Sequence, residues 1–143
     1  MKTIKKLMIW VAIIAIPVII ASCKKSDPAP ASKPTISTNA AINITANTAT
    51  GGGYIGDSST YYRVTGRGIM YSSGGDPIAM GVIASQTYDN LATPNRWGSF
   101  PSSMTGLTPN TTYYVRAYVG WELLSTPGSN MIFGELRTFK TLP

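Results

Sequence analysis

The stretch "LTPNTTYYVRAYV", residues 107–119, decides the fold. Pro109 and Asn110 are turn residues, one presetting φ and the other tolerating the left-handed region. Strict alternation follows, with Tyr113, Val115, Ala117 and Val119 on one side and Tyr114, Arg116 and Tyr118 on the other. A period of two marks a strand with one buried face. The first set is expected to face a core, with Leu107 plugging its end. Tyr113, at the strand's start, can bond back to the backbone ahead of the turn. The second set predicts an outward polar-aromatic ladder, which Arg63 and Arg67 of a neighbouring strand would join. Such ladders more often stabilise adjacent strands than bind ligands.

The same pattern extends over Pro34–Pro143. No long segment there has helical periodicity, and short β-branched or aromatic runs recur between Gly, Pro, Ser, Thr and Asn. This predicts an all-β sandwich. Seven strands are expected, near 35–45, 48–55, 62–72, 78–86, 98–104, 111–120 and 131–140. The glycines of "TGGGY", residues 50–54, read as a bulge or tight bend. They contain no G-x-G-x-x-G and precede no helix, which argues against a phosphate cradle.

Leu107, Pro109, Thr111 and Tyr113 match the L-x-P-x-T-x-Y signature of fibronectin type III domains. With "TATGGGYI" (48–55), "GRGIMYS" (66–72), "GSF" (98–100) and "FGELRTFKT" (133–141), residues 34–143 resemble the divergent fibronectin type III-like modules of Bacteroidetes surface and secreted proteins. The resemblance implies a seven-stranded, immunoglobulin-like β-sandwich. Two departures stand out. The tryptophan usual on the second strand is missing, and "VGWELLSTPGSN" after Tyr118 is longer and more apolar than the usual turn. Where an immunoglobulin domain has a cysteine, two residues after the tyrosine, this chain has Val115, so packing alone must hold the sandwich.

Ahead of the domain lies a leader. "MKTIKK" is a positive n-region, and "LMIWVAIIAIPVIIA", residues 7–21, is an apolar run interrupted by Pro17. The run falls short of the roughly 20 residues that cross a bilayer as a helix, so residues 1–22 read as a signal peptide. Ile20-Ala21-Ser22-Cys23 resembles the lipobox of bacterial lipoproteins. That implies cleavage before Cys23, a diacylglycerol thioether on its sulfur and acylation, palmitate included, of the new amino terminus. Two or three chains anchor durably where one is marginal, at about 0.8 kcal/mol per buried CH₂. The competing reading is an ordinary signal peptide with a cysteine near the cut. Lys24, where an aspartate often signals inner-membrane retention, favours the outer membrane. Whether the protein is periplasmic or surface-exposed stays open. Residues 23–33, rich in Pro, Ala and Ser after the cysteine, read as an extended tether of roughly 30 Å.

Charge and missing residues exclude several functions. The whole chain carries a net charge of +6 and contains no histidine. From Pro34 onward, six cations face five carboxylates, a net of +1. The basic balance therefore belongs to the leader and tether, which argues against nucleic-acid binding. Without histidine, and with a single cysteine, the usual general base, the Ser-His and Cys-His pairs and the common zinc ligand sets are missing. The five carboxylates show no spacing that brings two together. The chain reads as non-catalytic, with no cofactor and no metal.

Two stretches are candidates for binding. "GWELLSTPG", residues 120–128, groups Trp121, Leu123 and Leu124 in a connection, and grouped apolar residues at a loop tip mark contact sites. The competing reading has Trp121 extending the core face and the leucines folding onto the sandwich edge. "NRWGSF", residues 95–100, sets Arg96 and Trp97 together, a pairing that suits sugar rings, although a lone tryptophan also caps core edges. Two functions follow as expectations. One is a binding or adhesion module tied to the envelope membrane through Cys23, recognising a protein or a glycan. The other is a structural or spacer subunit of an outer-membrane assembly.

Overall fold

The computed structural model describes residues 33–56, 62–89, 97–126 and 128–143, so the leader, Cys23 and Arg96 lie outside the described residues. Among the described residues there are eight strands and no helix. Strands β1 (Thr35–Thr38), β2 (Thr48–Gly56) and β5 (Gly98–Thr105) form one antiparallel sheet in the order β1-β2-β5. The second sheet runs β4 (Ser85–Gln86), β3 (Tyr62–Ser72), β6 (Thr112–Leu123) and β7 (Asn130–Phe133). Strand β8 (Arg137–Lys140) joins the same edge of β6 as β7, one half further along. The two sheets pack face to face around one core, the all-β sandwich expected from the alternation.

The alternation of β6 supplies that core. Tyr113, Val115, Ala117 and Val119 are buried, as is Leu107 at the end. They meet Ile55, Phe100 and Met104 from the other sheet. The Tyr113 hydroxyl accepts the Thr108 N–H at 2.9 Å, and the Thr141 hydroxyl donates to the Thr108 carbonyl at 2.7 Å. The corner is thus closed by two side chains, one on the N–H and one on the carbonyl of Thr108.

Four expectations need revising. The single strand near 131–140 is interrupted at 134–136, which raises the count to eight. The strand near 35–45 ends at Thr38, and beyond it the chain meets β2 through the Asn39 N–H on the Gly52 carbonyl and an isolated bridge between Ile42 and Thr50. The strand near 78–86 shrinks to two residues because Asp76 organises a turn ahead of it. Its carboxylate accepts the Ile78 N–H at 3.3 Å and its carbonyl the Ala79 N–H at 2.9 Å. The glycine run is neither bulge nor bend, since Thr48–Ile55 pairs with Thr105–Gly98 without a slip. It answers instead to close approach, both by neighbouring strands of its own sheet and by the facing sheet. A Cβ on Gly53 would stand 2.7 Å from the Ser37 carbonyl and 2.8 Å from the Ala117 Cβ.

The register also sorts the connections into two poles. Thr35 pairs with Gly56, Gly98 with Ile55, and Tyr62 with Leu123. The chain therefore enters at the pole that holds the β6–β7 connection. The opposite pole carries residues 39–47, 73–84, 106–111 and the C-terminal residues.

At the interruption of the β7/β8 edge, the Ala117 carbonyl receives the Gly134 N–H at 2.9 Å. The Ala117 N–H has no strand partner and donates to the Thr38 hydroxyl at 3.0 Å, inside the core. A Thr38→Val variant keeps the shape and strands that donor. We expect a loss of about 1–3 kcal/mol, with Thr38→Ser recovering most of it, read by equilibrium denaturant unfolding.

Candidate functional site

The two stretches singled out by sequence meet at the entry pole. Tyr62 stands edge-on to Trp97, with centroids 5.4 Å apart, and to Trp121 at 5.7 Å. Trp121 has the same parity as Val119, so its ring continues the core face and is half-buried opposite Val64. Its indole Nε1 is buried and finds no acceptor among the described residues. Leu123 is half-buried opposite Tyr62, whereas Leu124 is 59% exposed. The grouped apolar tip read from the sequence therefore divides, with the tryptophan turned inward and one leucine left outside.

The outer face of the four-strand-wide sheet departs further from expectation. A bulge between Val64 and Gly66 leaves Thr65 as the extra residue and reverses the parity of everything after it. Arg63, before the bulge, points outward and pairs with Glu122. Arg67, after it, points inward opposite Val119, so the expectation that it joins the outward ladder is corrected. Its side chain is 5% exposed and lies over the Phe100 ring at 4.7 Å, with a salt bridge to Asp89 at 3.0 Å.

Residues 85–89 run along the free edge of β3 as a strap. The Thr87 N–H bonds the Ile69 carbonyl and the Asp89 N–H bonds the Arg67 carbonyl, each at 2.9 Å. The strap covers Tyr118, which is only 2% exposed, and takes its hydroxyl proton at the Thr87 carbonyl, 2.6 Å away. Burial pushes the Tyr118 phenol above its ordinary range, with Tyr88 adding to the shift.

Beside Tyr118 the face sinks. Gly66 pairs directly with Gly120, and the side chains nearest that floor are the Tyr88 ring over Gly66 and the Thr65 hydroxyl beside Gly120. Tyr88 from the strap and Met131 from β7 rise on either side, and Thr65, Ser129 and Asn130 complete the rim of a cleft of about 340 Å³. Tyr88 is 62% exposed. The wall backbones are three strand spacings apart, about 14 Å. A Cβ on Gly66 would stand 2.9 Å from the Tyr88 ring, so glycine is what lets that ring settle against the sheet. Two other clefts are smaller. One of about 240 Å³ lies beside Phe100 and Pro101, and one of about 180 Å³ lies beside Leu107 and Tyr113.

Every described side-chain carboxylate is taken by an arginine: Asp76 by Arg116, Asp89 by Arg67, Glu122 by Arg63 and Glu135 by Arg137. No group of three or more His, Cys, Asp or Glu converges among the described residues.

No protein-family model matches the chain, and no curated protein does. The similar solved structures include three of the sensor domain of the anti-sigma factor RsgI4 of Pseudobacteroides cellulosolvens. Its solution structure is 20% identical with a TM-score of 0.48, over 77% of this chain and 76% of that one. A shorter form is 22% identical at 0.47, over 79% and 98% of the two chains. A longer form is 22% identical at 0.47, over 77% and 90%.

The cleft was missed in the sequence because its floor is made by pairing. Gly66 and Gly120 lie far apart in the chain, and each alone is only a glycine in a strand. The ladder reading did single out Tyr118, but it made nothing of Gly66 and Gly120, the strand glycines that were the other half of the signal.

Two carboxylates make the fold sensitive to acid. Arg116 holds Asp76 below its ordinary pKa through a two-pronged contact at 2.8 and 2.7 Å. The Thr38 N–H, at 3.1 Å, leads the causes that lower Glu135. For both groups the folded pKa lies below the unfolded one. Their stabilisation is complete above the unfolded value, near pH 4, and is lost as pH falls through the folded value. Unfolding free energy followed by denaturant titration should be flat from neutral pH down to about pH 5 and decline below about pH 4. Asp76→Asn should be less stable at neutral pH and show a shallower acid limb.

Proposed function

We propose that the protein is a non-catalytic, lipid-anchored binding module of the cell envelope that meets its ligand, a protein or a glycan, in the Gly66–Gly120 cleft. The cleft is the observation that carries this reading. Its volume lies in the ~300–1,000 Å³ range of ligand sites, and it joins an exposed aromatic wall to a few convergent polar groups. The pairing of every described carboxylate with an arginine supports a non-catalytic role, because none is left as a free acid or base.

The fibronectin type III-like fold belongs to the same proposal. Its support is the sheet order β1-β2-β5 against β4-β3-β6-β7, in which β7 and β8 act as one interrupted edge and restore seven strand positions. The lipid anchor rests on the lipobox-like residues before Cys23 and on a tether that enters at the pole nearest the cleft. An outer-membrane location is favoured by Lys24. Trp97, Leu123 and Leu124 then sit at the anchored pole as its apolar rim.

A spacer subunit is the second reading, favoured by the inward packing of Trp121. The two are separated by photo-crosslinking in cells, with a benzophenone side chain replacing Met131 in the cleft or Ser103 on the opposite sheet. A discrete adduct from position 131 and none from 103 supports the binding module. Equal, heterogeneous adducts from both would turn the assignment towards a spacer. For the anchor, metabolic labelling with an alkynyl palmitate should mark the wild-type protein in the membrane fraction. Cys23→Ala should be unmarked. An unmarked wild-type protein running in the soluble fraction would overturn the anchor.

A further inference from the structure

We propose that the cleft floored by Gly66 and Gly120 binds a ring of a neutral carbohydrate, with the exposed face of Tyr88 as its stacking platform and Met131 as the facing wall. The inference rests on the reading that this cleft is the binding site, and names its ligand class. Three observations carry it.

The residues that line the cleft include no acid, lysine or arginine. One row along the sheet, Arg63 and Glu122 neutralise each other across the strands. The site therefore offers no charge to attract an ionic ligand.

Its polar groups are of the kind that read hydroxyls. Thr65 and Ser129 are exposed alcohols, and Asn130 donates one N–H to the Gly128 carbonyl at 3.0 Å, which turns its amide along the rim. An aromatic side chain from a peptide would fill the slot but leave those alcohols and the amide unmatched, which lowers its fit relative to a polyhydroxylated ring.

The shape is right as well. The Tyr88 ring lies against Gly66 and keeps its outer side exposed, so a flat ring can lay its C–H face on it while its equatorial hydroxyls reach the rim. Tyr118 contributes only a ring edge, because its hydroxyl is already spent on Thr87.

The test uses the full-length chain in a non-glycosidic detergent, with maltohexaose, cellohexaose and chitohexaose as probes and oligogalacturonate as the anionic control. Saturation-transfer NMR should show at least one neutral oligomer receiving magnetisation at its ring C–H protons. Tyr88→Ala should raise the Kd at least about tenfold, and Tyr88→Phe should stay within about threefold. Because Tyr88 is exposed, both variants should melt with the wild type, which separates lost binding from lost folding. The Kd should hold steady between about 0.05 and 0.5 M salt. Preference for the anionic oligomer, or no binding of any neutral probe at about 10 mM, overturns the carbohydrate assignment. If a displayed peptide pool is retained through Tyr88 while sugars fail, the ligand class falls and the cleft stands. If sugars bind Tyr88→Ala and Met131→Ala as well as they bind the wild type, the sugar site lies elsewhere and the cleft falls.

Discussion

Much of this sandwich depends on one buried hydroxyl. Where the last edge breaks between β7 and β8, the central strand β6 would face its neighbour with an unpaired peptide at Ala117. Thr38, at the end of the first strand, reaches across from the opposite sheet to take that N–H. Gly134 closes the other half by donating to the Ala117 carbonyl, and a Cβ on it would stand 2.5 Å from the Thr38 hydroxyl. Arg116 fastens the same point from outside, donating to the Gly134 carbonyl at 2.6 Å while it grips Asp76. The backbone of Thr38 is satisfied by side chains of the broken edge, its N–H by Glu135 and its carbonyl by Arg137 at 2.7 Å. One threonine thus joins two sheets and finishes two edges that would otherwise carry unpaired groups.

How much of this was legible follows from what a sequence can encode locally. The β6 alternation is a one-strand property, and each residue it assigned to the core is buried. The corner at Leu107–Tyr113 is also local, and it closes as its residue types suggest. What escaped was set by two strands at once. The glycine run resembled a bend because glycine weakens strands, but here it serves the approach of Ser37 and Ala117, which no local pattern announces. Trp121 looked like part of a loop tip because β6 continues to Leu123, past the point where its sequence stops alternating cleanly.

The bulge at Thr65 is the sharpest case. Without it, Thr65 would face Gly120, and Arg67 would come opposite Tyr118 on the outer surface, where a period-two reading puts it. One extra residue changes both. It brings Gly66 opposite Gly120, which opens the floor of the cleft, and it turns Arg67 inward opposite Val119. The sequence contains threonine, glycine and arginine in a row but no sign of where the ladder slips. A bulge is decided by the partner strand as much as by its own residues.

Turning an arginine inward has a further consequence, and it links charge to the site. A guanidinium on the core side is costly to bury unless an opposite charge and a polarisable surface meet it. Phe100 supplies the surface and Asp89 the charge. Asp89 can do so because the strap it belongs to hydrogen-bonds along the free edge of β3, with Thr87 also 2.5 Å from the Ser102 hydroxyl of β5. That strap carries Tyr88 immediately before Asp89, so the residue that neutralises Arg67 inside holds the cleft wall in place outside. The bulge, the buried cation, its counter-ion and the aromatic wall therefore form one chain of cause. The Arg67–Asp89 pair thus adds to the backbone bonds of Thr87 and Asp89 in holding the strap, and with it the Tyr88 wall, against the sheet.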